Sequence, residues 1–185
     1  MEKNVPLIVI DVQKAFHHPK WGERNNPEAE KNIERLINAW RETNRPIIFV
    51  AHISERKESL FYREDIGSEF QDFIRPMPED LVIEKSVNSA FIGTNLEEIL
   101  INMNCPNVII CGLTTNHCVE TTTRMAGNFG FNPVLVSDAA ATFDRVGPDG
   151  KKYRAEDIHQ MTLVNLNEEF AEIVDTETLI KRLVD

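Results

Sequence analysis

Short, uninterrupted apolar runs recur along the chain, and most of them end at a charged or polar residue. Apolar runs of this length without polar alternation are typical of strands that are buried on both faces of a sheet. The predicted strands are residues 5–10, 47–51, 81–84, 108–111, 133–136 and 171–174. Helical patterns fill most of the segments between them, which favours parallel strands joined by right-handed crossovers. The sequence therefore predicts an α/β fold: three α/β/α layers around a mainly parallel, doubly wound sheet of six strands.

Apolar residues spaced three and four positions apart predict the helices. In the first helix, the stripe consists of Ile33, Leu36, Ile37 and Trp40. Asn26 is the expected N-cap of this helix, and Pro27 suits its first turn. Further helices are predicted at residues 95–103, 155–166 and 176–184, and another begins near His117.

Length and composition narrow the class of protein. A chain of 185 residues without an internal repeat or linker suits a single domain, residues 1–185, with a substantial core. Twenty basic against thirty acidic residues give a net charge of -10, which argues against binding to the phosphate backbone of nucleic acids. The apolar run near the N-terminus is too short for a signal peptide or a membrane span. Three cysteines, at spacings that suit neither disulfides nor a zinc site, indicate a reducing compartment. We therefore predict a cytoplasmic protein with no nucleic-acid or membrane partner.

Polar residues at the ends of the predicted strands are the candidates for a functional site, because ligands of parallel α/β sheets bind at the carboxyl ends of the strands. These residues are Asp11, His52, Lys85, Cys118 and Asp138. Each also has a structural interpretation: Asp11 could cap a helix, Lys85 could be a solvated strand end, and Asp138 could brace a turn.

Cys118 falls in the first turn of a predicted helix. Unpaired N–H groups and the positive end of the helix dipole favour the thiolate there, as a cysteine nucleophile requires. The alternative is a small buried hydrophobic residue. With Asp11 and Lys85 nearby, a cysteine could attack a carbonyl carbon while the carboxylate takes and returns its proton and the lysine adjusts the pKa of both groups.

Three segments together resemble a known superfamily: L-I-V-I-D-V-Q-K-A-F, V-I-E-K-S-V-N-S-A-F and G-L-T-T-N-H-C-V. In this order they are similar to the signature segments of the isochorismatase-like cysteine hydrolases, which include nicotinamidases and N-carbamoylsarcosine amidohydrolase. The resemblance extends to about Thr176 and implies the isochorismatase-like fold. It also implies that Asp11, Lys85 and Cys118 are the catalytic triad.

The resemblance further implies a cis peptide bond between Leu113 and Thr114. The backbone N–H groups of Thr114 and Cys118 would then form an oxyanion hole. Relatives of this kind assemble as dimers or tetramers, so a homodimer or homotetramer is expected.

The chain departs from nicotinamidases at the second strand. Nicotinamidases similar in core carry an Asp-x-His and further histidines there to hold a metal ion, whereas this chain reads F-V-A-H-I-S-E-R-K, with Ala51 near the aspartate position. His52 is the only histidine between His18 and His117, and zinc requires three or four ligands. We therefore predict no metal and no cofactor. True isochorismatases lack the cysteine, so Cys118 argues against that reaction.

The candidate substrate pocket consists of Phe16, Trp21, His52, Phe61, Tyr62, Phe91, Leu113 and His117. Core packing is an equal alternative for Phe91. His52 faces the pocket or is a satisfied buried histidine, and His117 lines the pocket or points away. Residues 54–80, polar and poorly periodic, are expected to form a lid or a subunit contact.

The predicted function is a cofactor-independent cysteine amidohydrolase. It would cleave a C–N bond of a small amide or carbamoyl substrate through a thioester on Cys118. Two alternatives remain at this stage: a metal-assisted nicotinamidase, and a non-catalytic binding or redox-sensing module on the same fold.

Overall fold

The computed structural model describes residues 1–184 and is built on a six-stranded parallel sheet. Its strands are β1 (Leu7–Ile10), β2 (Ile47–His52), β3 (Leu81–Lys85), β4 (Asn107–Leu113), β5 (Asn132–Ala141) and β8 (Glu172–Val174). They lie in the order β3-β2-β1-β4-β5-β8, and every neighbouring pair is parallel. The winding direction therefore reverses between β1 and β4, which is the position where such sheets bind ligands.

Helices cover both faces of the sheet. They are α1 (Ala29–Glu42), α2 (Leu96–Asn102), α3 (Glu120–Asn128), α4 (Ala155–Leu166) and α5 (Thr176–Val184). Apolar residues of α1 and α5 pack into one core cluster with the sheet, and those of α2, α3 and α4 pack into the other. The predicted three-layer α/β/α architecture is confirmed. Among residues 1–184, none of the helices combines the length and the apolar composition that crossing a bilayer requires.

One local prediction is wrong, and one short element was not predicted. Asn26 does not cap α1: the helix begins at Ala29, and the Asn26 amide instead donates hydrogen bonds to the carbonyls of Ser137 and Ala140, 3.0 and 2.7 Å away. The connector after β5 contains a short antiparallel hairpin, β6 (Arg145–Val146) with β7 (Lys152–Tyr153). Strands of two residues carry too little pattern to be detected in sequence.

The backbones of β1 and β4 are in close contact at the point where the winding reverses. Gly112 has φ +129°, and a Cβ atom there would lie 2.1 Å from the carbonyl oxygen of Ile10. Only glycine fits such a position. Asp11 is the residue directly after β1, and its φ is 51°. This conformation turns the chain away from β1 at the edge of the sheet where β4 also ends.

Candidate active site

Four of the five strand-end candidates meet at this edge. Asp11 follows β1, His52 and Lys85 are paired residues at the ends of β2 and β3, and Cys118 lies in a single π-helical turn, Thr115–Val119, between β4 and α3. Asp138 does not join them. Its carboxylate accepts hydrogen bonds from the backbone N–H and hydroxyl of Thr176, and so it braces the start of α5.

Asp11 and Lys85 form a buried ion pair. Lys85 Nζ lies 2.6 Å from Asp11 Oδ2, and the two side chains are 0% and 1% exposed. Lys85 Nζ also lies 3.2 Å from Nδ1 of His52. The other oxygen, Asp11 Oδ1, has no hydrogen-bond partner among residues 1–184. Burial raises the pKa of Asp11, and the Lys85 charge opposes that rise. The pair thus combines a carboxylate that takes up a proton readily with one oxygen free to receive it.

Cys118 stands beside this pair. Its sulfur, a ring nitrogen of His52 and a carboxylate oxygen of Asp11 all lie within 4.8 Å of one another. Burial raises the pKa of Cys118 to about 12, the Asp11 carboxylate acts in the same direction, and Lys85 opposes both. The raised pKa favours the thiol, against the expectation of a thiolate. Cys118 does lie in the first helical turn after β4, because the π-helical turn runs directly into α3 at Glu120, but burial beside the Asp11 carboxylate opposes the effect of the helix dipole.

The turn that carries Cys118 begins after a cis peptide bond between Leu113 and Thr114, as the resemblance implies. Thr114 and Cys118, the two residues expected to form the oxyanion hole, both contribute to the pocket wall. His117 also lies in the wall, with Nδ1 3.2 Å from the Thr114 hydroxyl. Burial lowers the pKa of His117, which favours its neutral form.

A network behind the turn holds it against α4. Thr115 and His159 are fully buried or nearly so, and the Thr115 hydroxyl lies 2.8 Å from Nδ1 of His159. The other ring nitrogen of His159 lies 3.5 Å from the Asn26 amide. Asn26 therefore connects the loop before α1 to the turn that carries Cys118 by way of His159. Because its amide makes these contacts, its side chain does not cap α1.

The pocket above Cys118 has a volume of about 170 Å³. Its wall consists of Asp11, Phe16, Trp21, His52, Phe61, Asn88, Thr114, His117 and Cys118. The aromatic side is formed by Phe16, whose ring centroid lies 5.2 Å from that of Trp21 and 5.3 Å from that of Phe61. A larger cavity, of about 530 Å³, lies at the amino end of the strands, but its lining contains no cysteine, histidine or lysine.

Three predicted pocket residues lie outside this wall. Phe91 packs in the core, with its ring centroid 5.2 Å from that of Phe129. Leu113 is fully buried in the cluster that supports Phe16. Tyr62 lies in the polar segment 54–80, where burial and nearby acidic groups raise the pKa of its phenol. The spacing from the triad residues indicated that Phe91 would be close to the pocket, but it did not fix the direction of the ring.

Two residues with a role at the site were missed. Asn88 lines the pocket three residues after Lys85. Gln13 is fully buried and makes two hydrogen bonds to the end of β2. Its side-chain oxygen accepts one from the His52 N–H at 2.8 Å, and its side-chain NH₂ donates one to the His52 carbonyl at 2.9 Å. Their positions within the D-V-Q and K-S-V-N segments were the only available signal.

The side chains do not form the metal site that the resemblance associates with nicotinamidases. Ala51 offers no ligand, and among residues 1–184 the only group of three or more closely spaced potential ligands is Asp11, His52 and Cys118. Two of these three are the proposed base and nucleophile. No step of the chemistry below is therefore assigned to a metal.

Comparison with known proteins identifies this arrangement. The model of the Isochorismatase domain matches residues 6–178. The chain belongs to the isochorismatase family. It is 46% identical over 184 residues to the isochorismatase family protein YrdC of Bacillus subtilis, covering 100% of this chain and 98% of the relative. It is 38% identical over 195 residues to Nicotinamidase 3 of Arabidopsis thaliana, with 98% and 90% of the two chains covered.

A solved structure shows the same fold. The crystal structure of an isochorismatase-family protein from Chromobacterium violaceum, described as a hydrolase, superposes with a TM-score of 0.96 at 36% identity. The superposition covers 99% of this chain and 95% of that one. These likenesses confirm the predicted family and fold, and they identify the chain as an isochorismatase-family hydrolase.

Proposed function

We propose that this isochorismatase-family hydrolase is a cysteine amidohydrolase that cleaves a small, uncharged amide or carbamoyl compound. The observation that carries the proposal is the buried Asp11–Lys85 ion pair beside Cys118, in which Asp11 Oδ1 is left without a protein partner. Burying a carboxylate oxygen without a hydrogen-bond partner costs free energy, so such an atom calls for a functional explanation. Transfer of the Cys118 proton provides that use.

The reaction is proposed to occur in two halves. Asp11 accepts the thiol proton as Cys118 Sγ attacks the carbonyl carbon, and the backbone N–H groups of Thr114 and Cys118 stabilise the oxyanion. The C–N bond then breaks, Asp11 returns the proton to the leaving nitrogen, and a thioester remains. Water next replaces the departed amine, loses a proton to Asp11 and attacks the thioester. The C–S bond then breaks, Asp11 returns that proton to the sulfur, and the Cys118 thiol and the acid product are released. The Lys85 ammonium limits the rise of the pKa of Asp11.

Pocket size and lining support the substrate class. A cavity of about 150 Å³ accepts a benzene molecule, so 170 Å³ accommodates one ring or a chain of similar size. The wall is aromatic on the side of Phe16, Trp21 and Phe61, and Asp11 is its only acidic residue. Lysine and arginine are absent from the wall as the described residues form it, so it offers neither of these cations to pair with an anionic substituent on the substrate. The similarity to Nicotinamidase 3 makes nicotinamide a first candidate.

The non-catalytic alternative has less support. A redox-sensing cysteine requires an accessible thiolate, whereas Cys118 is 8% exposed with its pKa raised to about 12. The homodimer or homotetramer expected from the resemblance remains a proposal, which light scattering on the purified chain would test.

An ammonia-release screen tests the function. Small aromatic and aliphatic amides, ureas and carbamoyl compounds are incubated with the wild-type chain, and Cys118→Ala serves as the blank. We expect release from at least one neutral carboxamide by the wild type only. Equal release by both proteins, or a stable sulfenic acid at Cys118 with no release from any compound, would contradict the proposal.

A further inference from the structure

The base of the pocket combines a carboxylate, an imidazole and a thiol. Donor atoms of Asp11, His52 and Cys118 all lie within 4.8 Å of one another. These are the ligand types that Zn²⁺ prefers, at bond lengths of about 2.0–2.3 Å. Ligands of a tetrahedral ion lie somewhat closer together than 4.8 Å, so binding requires the three side chains to move toward the ion.

One ligand atom of this group is already unpaired. Asp11 Oδ1 has no hydrogen-bond partner among the described residues, although the side chain is only 1% exposed. The Lys85 ammonium contacts the opposite carboxylate oxygen, Oδ2. A buried carboxylate oxygen without a hydrogen-bond partner, on a residue grouped with a thiol and an imidazole, is suited to a cation as well as to a proton.

We propose that Asp11, His52 and Cys118 bind one soft divalent ion of the Zn²⁺ type, and that the bound ion reversibly blocks the nucleophile. Binding forms a metal–sulfur bond and releases the Cys118 proton to solvent, with no oxidation or reduction. Three protein ligands leave the fourth position of the ion open to water. Mg²⁺, which prefers octahedral oxygen ligands, does not fit this set. The site shares Asp11 and Cys118 with the proposed hydrolysis, but binding of the ion requires no substrate and can be measured without turnover.

Lys85 opposes the ion and offers a way to separate the roles of these residues. Its Nζ lies 2.6 Å from Asp11 Oδ2 and 3.2 Å from His52 Nδ1, so its positive charge repels a cation held by the same two side chains. Removing that charge in Lys85→Met would strengthen metal binding, whereas removing a ligand would weaken it. The lysine thus sets the metal affinity of the site below that of the three ligands alone.

Titration with Co²⁺ in the absence of substrate tests the site, since a thiolate–cobalt bond gives its own absorption band. We expect one equivalent to produce the band in the wild type and added Zn²⁺ to abolish it. The band should be absent in Cys118→Ala, and the affinity should fall about 10- to 100-fold in His52→Gln and rise in Lys85→Met. His17→Gln, which alters an exposed histidine, is the matched control and should titrate like the wild type. A His52→Gln affinity equal to that of the wild type would overturn the proposal.

Alkylation of the unmodified chain gives a second measurement that depends on no variant. Zn²⁺ should slow the reaction of Cys118 with iodoacetamide at least about tenfold, as direct coordination of the sulfur requires. Peptide mass spectrometry reports Cys118 separately from Cys105 and Cys111. An unchanged rate at Cys118 would overturn the proposal. Neither result bears on amide hydrolysis, so the two proposals can fail independently.

Discussion

Two cysteines only seven positions apart in the sequence occupy opposite environments. Cys111 is fully buried in the middle of β4 within an apolar cluster, whereas Cys118 lies in the turn after β4 and forms part of the pocket wall. Burial raises the pKa of both thiols, so neither rests as a thiolate. The difference is in their neighbours: Cys118 has the Asp11–Lys85 pair beside it. In the proposed mechanism, the adjacent proton acceptor, and not the acidity of the thiol at rest, is what distinguishes Cys118 from Cys111.

Removing each thiol by substitution with alanine gives the largest expected contrast in activity between the two cysteines. Cys118→Ala should lower kcat/KM on a substrate from the screen by about a thousandfold or more, because no other group can form the thioester. Cys111→Ala should keep its activity and lose about 1 kcal/mol of stability, a fall in Tm of about 2–4 °C. Steady-state kinetics and thermal unfolding by circular dichroism measure both. Loss of activity in a folded Cys111→Ala protein would remove the distinction.

Removing the Asp11 carboxylate should leave Cys118, like Cys111, without a proton acceptor beside it. Asp11→Asn is expected to reduce kcat about 100- to 10,000-fold. It should also lower the free energy of unfolding by about 3–5 kcal/mol, because Lys85 is left buried without its partner. Kinetics and denaturant unfolding give the two numbers.

A double variant separates these two effects. Asp11→Asn combined with Lys85→Met removes both charges, so most of the lost stability should return while the activity does not. If activity returned together with stability, the ion pair would serve folding alone and the comparison with Cys111 would lose its basis.

The sheet could be predicted from sequence because buried parallel strands have a simple pattern of apolar residues. Runs such as residues 5–10 and 108–111 are apolar on both faces, and the winding rule converts their order into a topology. Asp11 and Lys85 were predictable for the same reason, since strand ends of a parallel sheet converge. The hairpin of Arg145–Val146 with Lys152–Tyr153 was not predictable, because two-residue strands have no detectable period.

Side-chain direction and local electrostatics were the parts that sequence could not supply. Phe91 lies close to Lys85 in sequence, yet its ring turns into the core against Phe129. Asn88, three residues before Phe91, lines the pocket. The ionisation of Cys118 was misjudged because the helix-start argument considers only neighbours in sequence, whereas the dominant effects are burial and a carboxylate from a different strand.

The pH dependence of alkylation tests the same difference between Cys118 and Cys111, with a smaller expected effect. Because the pKa of Cys118 is raised to about 12, its rate of reaction with iodoacetamide should rise about tenfold per pH unit through neutral and moderately alkaline pH, without a plateau. Cys111 should remain unreactive as long as the fold persists. Peptide mass spectrometry of quenched samples measures both rates. A plateau near neutral pH would show a resting thiolate.

The acid side of the activity profile depends on Asp11. Burial raises the pKa of this carboxyl above its ordinary value, so the ionised acceptor is lost as pH falls through that raised value. The acid limb of kcat/KM should therefore lie at higher pH than an ordinary aspartate would give. Circular dichroism at each pH excludes unfolding as the cause, and a limb at or below the ordinary aspartate range would contradict this assignment.

The smallest expected effect concerns the support of the nucleophile turn. Thr115→Val removes the hydroxyl that lies 2.8 Å from His159 Nδ1 and should lower kcat about fivefold, the equivalent of about 1 kcal/mol, with little change in KM. Thr162→Val is the matched control: this threonine is also buried, but its hydroxyl donates to Glu120 in α3 and not within the turn. Both variants should lose similar stability, and only the first should lose kcat, which Thr115→Ser should restore. Equal kcat in the two valine variants would mean that β4 positions Cys118 without help from α4, and the environment that distinguishes Cys118 from Cys111 would then be set by Asp11 and Lys85 alone.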